Sequence, residues 1–264
     1  MRFASRYFHQ VKGTAMGTLL AVNFANLFMS KFETNLLNDY EKLYGVRPLL
    51  WLRYIDDIFF IWQYDETSLK HFIDFCDSYS VSQKMNSTIK FSSNYSTKEV
   101  VFLDTKIKLC DGELISDLYT KATSAHQYLH HSSFHYPSLI KSLPKSQFIR
   151  IRRICSNLSD YLSHANEFIT YFSARGFNVD KLRHTAKEVS QMDRKLFFQP
   201  KPSKTQDKST RDHDRIPFVL DWHTKFAGFG KILHMHHQSV TKDFPSYKEI
   251  YSQPPMLAYH QTKN

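Results

Sequence analysis

RYIDDIFFIW, Arg53 to Trp62, sets one acidic pair between two runs of large apolar side chains. Taken with the residues before it, LLWLRYIDDIFFIW at 49–62 reads as two strands meeting at a tight turn, with Asp56 and Asp57 at the tip. A bare pair of aspartates is ordinarily a solvated turn. A turn that needs only polarity has no use for walls such as WLRYI and IFFIW. Two carboxylates held together form a compact negative site, and hard cations such as magnesium bind carboxylate oxygens.

Upstream lies QVKGTAMGT, Gln10 to Thr18, where Gly13 and Gly17 let backbone approach a flat ligand closely. Residues 18–43 follow with Leu20, Phe24, Leu27, Phe28, Leu36 and Leu37 at helical spacing, closed by Gly45 and Pro48. Downstream, 66–80 reads as a second amphipathic helix. Short strands are expected at 88–93, 100–109 and 113–120, with Asp111-Gly112 as the hairpin turn between the last two. From 138 the pattern is helical, with helices expected near 145–156, 158–175 and 179–197, and Gly176 at the C′ position of the second. QPKPSKTQDKSTRDHDR, 199–215, holds no aliphatic or aromatic residue and reads as a flexible linker before a short module at 216–264.

The chain has 264 residues, 42% of them apolar and 15% aromatic, which suits a packed core and excludes collagen-like and wholly disordered chains. Its formal charge is +10, and the excess is uneven. Residues 1–110 carry 13 basic and 11 acidic side chains; 111–264 carry 22 and 14. A polyanionic partner, nucleic acid before membrane, is therefore expected to meet the second part. Cys76, Cys110 and Cys155 are odd in number and far apart, which fits a reducing compartment and no zinc ribbon. MRFASRYFHQVKG lacks a signal core, and the apolar stretch Ala15–Met29 is broken by Asn23 and Asn26. An intracellular protein of nucleus and cytoplasm is expected, without a membrane or a stable protein partner.

KGTAMGT, FANLFMSKFE, RYIDDIFFIW, IKFSSNYS and VVFLDTKI, in this order, resemble the Penelope-like retroelement reverse transcriptases. The resemblance runs on through LYTKATSAHQYLHHSSFH, KSLPKSQFIRIRRICS and YFSARGF, and covers roughly residues 8–198. It implies an α+β fold: a partial reverse-transcriptase palm at 1–112, a mainly helical thumb or helix-turn-helix-like region at 113–198, the linker at 199–215, and a C-terminal connector at 216–264. It implies an RNA-directed DNA polymerase that uses magnesium and deoxynucleotides on an RNA template with a DNA primer. By this resemblance Asp56 is a direct metal ligand and Asp57 its support, while Tyr54 helps to place nucleotide and primer end. Gln10, Gly13, Met16 and Gly17 match the loop against the incoming nucleotide and template base. Lys90 falls where polymerases often place a lysine near the pyrophosphate.

Reverse-transcriptase palms use a further aspartate on a strand before the glycine loop, and fingers that hold the template. Neither block is in this sequence, nor is the GIY-YIG nuclease common in these elements. The expectation is a truncated copy that does not polymerise alone, because two carboxylates do not replace a three-carboxylate cage for two ions. The alternative is a non-catalytic nucleic-acid-binding protein that uses only the basic region. That region, KSLPKSQFIRIRRICS, carries Lys141, Lys145, Arg150, Arg152 and Arg153 with no acid, and Ile149, Ile151 and Ile154 interleave with the arginines. Backbone contacts to nucleic acid are expected from it. The histidine groups at 130–135 and 234–237 read as structural or surface residues, and Trp51 and Trp62 as core.

Overall fold

The computed structural model describes the whole chain except residues 1, 4, 10, 12, 16, 83–88, 200–214, 224, 226 and 261–264. The fold is α+β, and the chain divides into two units, Met1–Lys121 and Ala122–Asn264. Gln10 and Met16, expected to line the nucleotide, and nearly all of the expected linker lie outside the described residues.

The first unit opens with a two-residue ladder, β1 (Arg2–Phe3) and β2 (Arg6–Tyr7), followed by the long helix α1 (Ala21–Tyr44). Gly45, in the left-handed region at φ 70°, closes α1 by donating its N–H to the Glu41 carbonyl at 2.8 Å. The hairpin is β3 (Leu50–Tyr54) and β4 (Asp57–Ile61), paired antiparallel with Trp51 opposite Phe60 and Tyr54 opposite Asp57. Helix α2 (Glu66–Ser82) starts at Asp65, whose carboxylate accepts the Ser68 N–H at 2.9 Å and is held below the usual carboxylate range by that bond.

Phe32, Leu36, Leu37 and Tyr40 of α1 meet Phe72, Cys76 and Tyr79 of α2 in one core, with Trp51, Phe60 and Trp62 packed against it. The helical spacing of the first two sets and the two-residue spacing along the strands bring all three elements to the same apolar layer. Trp62 stacks on Phe72 at 4.9 Å, and Tyr79 donates its hydroxyl to Asp39 at 2.6 Å. Both tryptophans, expected as core, are half-buried and pack against the edge of that core.

Two expected strands differ. Of the segment expected as a strand at 88–93, residues 89–93 are described and form no strand, and residue 88 lies outside the described residues. The Phe91 N–H goes to the Asp77 carboxylate at 2.7 Å, and its ring stacks on Phe32 at 6.3 Å, so a side chain takes the bond that a strand would offer to a neighbour. The run 100–109 is not one strand but two. Leu103 takes φ 55°, and the chain folds back as β5 (Glu99–Phe102) and β6 (Thr105–Cys110). Asp111 and Gly112, at φ 50° and 82°, form the expected turn to β7 (Glu113–Leu118). The strand after residue 112 thus completes a three-stranded sheet, and the chain divides nine residues further on, after Lys121.

In the second unit α3 (Pro137–Ile154), α4 (Leu158–Ser173) and α5 (Val179–Ser190) pack on one another. Helix α3 begins a full two turns before the expected start. Pro137 sits at its first turn and Pro144 inside it, buried, so the inner proline that reads as a helix start is instead a packed core residue. Phe148, Ile151, Cys155, Tyr161, Phe168, Phe172 and Val189 fill the centre, and the Tyr161 hydroxyl donates to the Ala186 carbonyl at 2.7 Å. Helix α5 stops at Ser190, and a short 3-10 turn, Arg194–Phe197, replaces its expected continuation. Beyond the undescribed stretch, β8 (Pro217–Leu220) pairs parallel with β9 (Met256–Tyr259), with α6 (Phe229–Asp243) and α7 (Pro245–Ile250) in the crossover. No helix among the described residues is long and apolar enough to cross a membrane.

Burial pushes the Cys76 thiol from 9.0 up to about 12, and Asp77 adds to the shift. Burial raises Tyr79 and Tyr161 as well. A thiol that binds its proton more tightly in the folded chain contributes stability that is complete below pH 9 and is lost as pH rises towards 12. Urea midpoints should therefore fall steadily across that window. In native protein at pH 8 a thiol reagent should modify the exposed Cys110 alone, with Cys76 and Cys155 reacting only in denaturant, as counted by mass spectrometry.

Candidate functional site

Tyr54 and Asp57 pair across the hairpin, so Ile55 and Asp56 form its two-residue turn. Ile55 takes φ 55°, a conformation that a β-branched residue adopts at a cost. Arg53 holds it there. Its Nη1 donates to the Ile55 carbonyl at 2.8 Å and to Asn26 Oδ1 at 2.9 Å, its Nη2 to the Asn26 carbonyl at 3.3 Å, and its Nε to Glu33 Oε1 at 2.8 Å. Trp51 Nε1 donates to the same glutamate oxygen at 3.1 Å. Asn26 and Glu33 lie seven residues apart on α1, two turns along one face. The Arg53 and Glu33 side chains are only 11% and 12% exposed, so their attraction is little screened. One guanidinium thus ties the turn to the longest helix of its unit.

The side chains of Asp56 and Asp57 are exposed at the end of this braced hairpin. Two adjacent carboxylates offer the hard oxygen ligands that magnesium takes, and leave its other positions open. Among the described residues no third histidine, cysteine, aspartate or glutamate ligand atom gathers with them. Tyr54 is exposed at the end of β3. Gly13 and Gly17 take φ 72° and 86°, and a Cβ at Gly17 would meet nothing within 4 Å; the backbone conformation there, not crowding, calls for glycine. Lys90 is exposed beside the anchored Phe91, and shares no hydrogen bond or ion pair with the aspartates.

The five basic residues of α3 do not form one open face. Lys145 is bonded to Glu188 of α5 at 2.7 Å. Arg152 lies near the Tyr161 ring at 6.0 Å, and its Nε and Nη1 are buried without a hydrogen-bond partner. Arg150 is half-buried and Arg153 exposed. Lys141 is exposed in the second turn of the helix. Of the interleaved isoleucines, Ile151 is buried and Ile149 and Ile154 are half-buried.

A second basic surface was not legible from charge runs. Helix α4 ends at Ser173, the chain turns through Gly176 at φ 79°, and α5 begins at Val179 with the Asn178 side chain accepting the Lys181 N–H. A Cβ at Gly176 would stand 3.2 Å from the His130 ring, so this turn needs glycine for both its conformation and its space. The turn is also pinned by the His131 N–H donating to the Arg175 carbonyl at 2.8 Å. Beyond it Lys181, Arg183 and Lys187 are exposed on α5. The spacing of helix, glycine turn and helix is the signal that points to them. The histidines lie in local bonds: His130 with Ser132, His135 with Ser133, and His237 with the Tyr251 carbonyl.

Residues 127–187 match a family model described as Animal helix-turn-helix domain. The match takes in α3, α4 and most of α5, so the three packed helices of the second unit are similar to a helix-turn-helix domain. The chain matches no curated protein and no solved structure.

Removing Arg53 leaves the largely buried Glu33 carboxylate with the Trp51 indole but no countercharge, and the Ile55 turn unbraced. Arg53→Ala should cost about 2–4 kcal/mol in chemical denaturation, near the range for breaking a buried pair. Arg53→Lys keeps one contact to Glu33 and should lose less, yet still speed amide exchange at Ile55–Asp57.

Proposed function

We propose that this chain carries the hairpin of the palm and the thumb of an RNA-directed DNA polymerase of the Penelope-like kind. The observation that carries the reading is the exposed Asp56–Asp57 pair on a hairpin braced through Arg53 to α1. The helix-turn-helix that follows it in the same chain supports the second half. Asp56 and Asp57 would hold magnesium, whose chemistry there is to neutralise charge on phosphate and to ease deprotonation of a primer hydroxyl. Arg53 keeps the two carboxylates at a fixed place and so limits their reorganisation when a cation arrives. Tyr54, on the strand face away from the core, supplies an aromatic surface next to them for nucleotide and primer end. Gly13 and Gly17 keep their loop free of side chains, and Lys90 offers a cation to a leaving pyrophosphate. The partners are an RNA template, a DNA primer and deoxynucleotides.

In the second unit α5 is the helix that meets the nucleic acid, as the second helix of such motifs does. Lys181, Arg183 and Lys187 are its contacts to phosphate, together with Arg150 and Arg153 of α3. Contacts of this kind fix register without reading bases. The match to a helix-turn-helix model also favours a second reading, a nucleic-acid-binding protein without catalysis, because it stands whether or not the hairpin takes a metal.

One measurement tests both readings and a second separates them. Binding to a primed RNA–DNA duplex, followed by anisotropy across a salt series, should weaken steeply with salt, and Lys187→Ala should lower the log–log slope by about one. Affinity that ignores salt would sink both readings. Manganese, used as a paramagnetic probe for magnesium, should broaden the amide signals of Ile55–Ile58, and Asp56→Asn should abolish this without changing duplex affinity. Unbroadened signals would remove the polymerase reading and leave the binding protein. With no third carboxylate gathered at the tip among the described residues, this chain by itself should bind the primed template without extending it.

A further inference from the structure

A cavity of about 480 Å³ opens in the second unit, a volume in the range of small-ligand sites. Its walls come from the start of α3, from the segments around β8 and β9, and from the first turn of α6. Three aromatic rings form one side. Trp222 is buried and meets Tyr136 at 5.1 Å and Tyr259 at 5.2 Å, both edge to face, while Tyr136 and Tyr259 lie 5.0 Å apart and within 31° of parallel. The tryptophan thus fixes two tyrosine rings before any ligand arrives, and Tyr136 remains 43% exposed. Rings already ordered offer stacking surface at little further entropic cost.

The lining also carries charge of one sign. Lys141 of α3 and Lys231 of α6 both line the cavity, both are exposed, neither makes an ion pair, and no acidic residue lines the cavity among the described residues. Gly228 also lines the cavity, with φ 89° and nothing within 4 Å of a Cβ built there, so no side chain crowds the approach at that position.

Flat apolar rings beside two free ammonium groups fit a ligand with a planar aromatic part and an anion one bond system away. We propose that this cavity binds a single unpaired nucleotide unit, its base against Tyr136 and Tyr259 and its phosphate between Lys141 and Lys231. Base stacking on aromatic side chains is tolerant of sequence, so the site takes any base of an unpaired strand. This goes beyond the duplex contacts of α5, because it needs a base that is not in a helix.

The test uses the full chain and a short single-stranded RNA carrying thiouridine, cross-linked by light and mapped by mass spectrometry. The expected cross-links fall in peptides that contain Tyr136, Trp222 or Tyr259. Lys231→Glu should cut their yield about tenfold, the scale of one charge-assisted contact, and Lys231→Arg should restore it. Circular dichroism of both variants should match the parent chain, and their affinity for the primed duplex should be unchanged, which separates this site from the α5 surface. Competition by free uridine monophosphate as effective as that by the RNA would make the occupant a free nucleotide; competition by RNA alone would make it a strand. Cross-links confined to α5, or a yield indifferent to Lys231→Glu, would overturn the proposal.

Discussion

The Arg53 guanidinium is the point on which the first unit turns. It reaches from the hairpin to α1, accepts no competitor for Glu33 except Trp51 of its own strand, and spends its remaining donors on Asn26 and on the carbonyl of the left-handed Ile55. The apolar core below it sets the distance between helix and hairpin, through Phe32, Phe72, Trp51 and Phe60. Burial supplies the bulk of the attraction and is non-directional. The ion pair supplies direction, and fixes where along α1 the acidic tip stands.

The second unit solves a different problem with the same economy of parts. Its helices are short, and Tyr161 spans from α4 to the backbone of α5 with a buried hydroxyl bond. The glycine turn is tight because His130 and His131 pack and bond against it from the preceding segment. The lead-in to α3, which has no regular structure, is therefore part of the helix-turn-helix and not a tether to it. This agrees with the start of the family match at residue 127, ten residues before α3.

The hairpin, α1, α2 and the Asp111-Gly112 turn are all legible in the sequence, because period and turn chemistry are local. The places where the sequence misleads share one cause, which is tertiary context. Phe91 lies in a stretch rich in strand formers, yet its amide is taken by the Asp77 side chain of α2. Leu103 bears no turn signature and still adopts a positive φ, because β5 and β6 pair around it. Pro144 reads as a boundary and is buried inside α3. For the candidate sites, the acidic tip stands out by its apolar walls, whereas the basic run of α3 hides that Lys145 is already paired and Arg152 largely enclosed. The exposed cations of α5 are diluted by Asp180 and Glu188 and make no run at all.

The parallel pairing of β8 with β9 has a consequence for how the second unit is made. Pro217–Leu220 finds its partner only when Met256–Tyr259 exists, so during synthesis the helix-turn-helix is complete while the last sheet is still open. Tyr136 and Trp222 then wait for Tyr259, the final ring of their cluster. A nascent chain paused before residue 256 would present a finished helical unit beside an unpaired strand, and the emergence of Met256–Tyr259 decides when that strand is closed off from other chains.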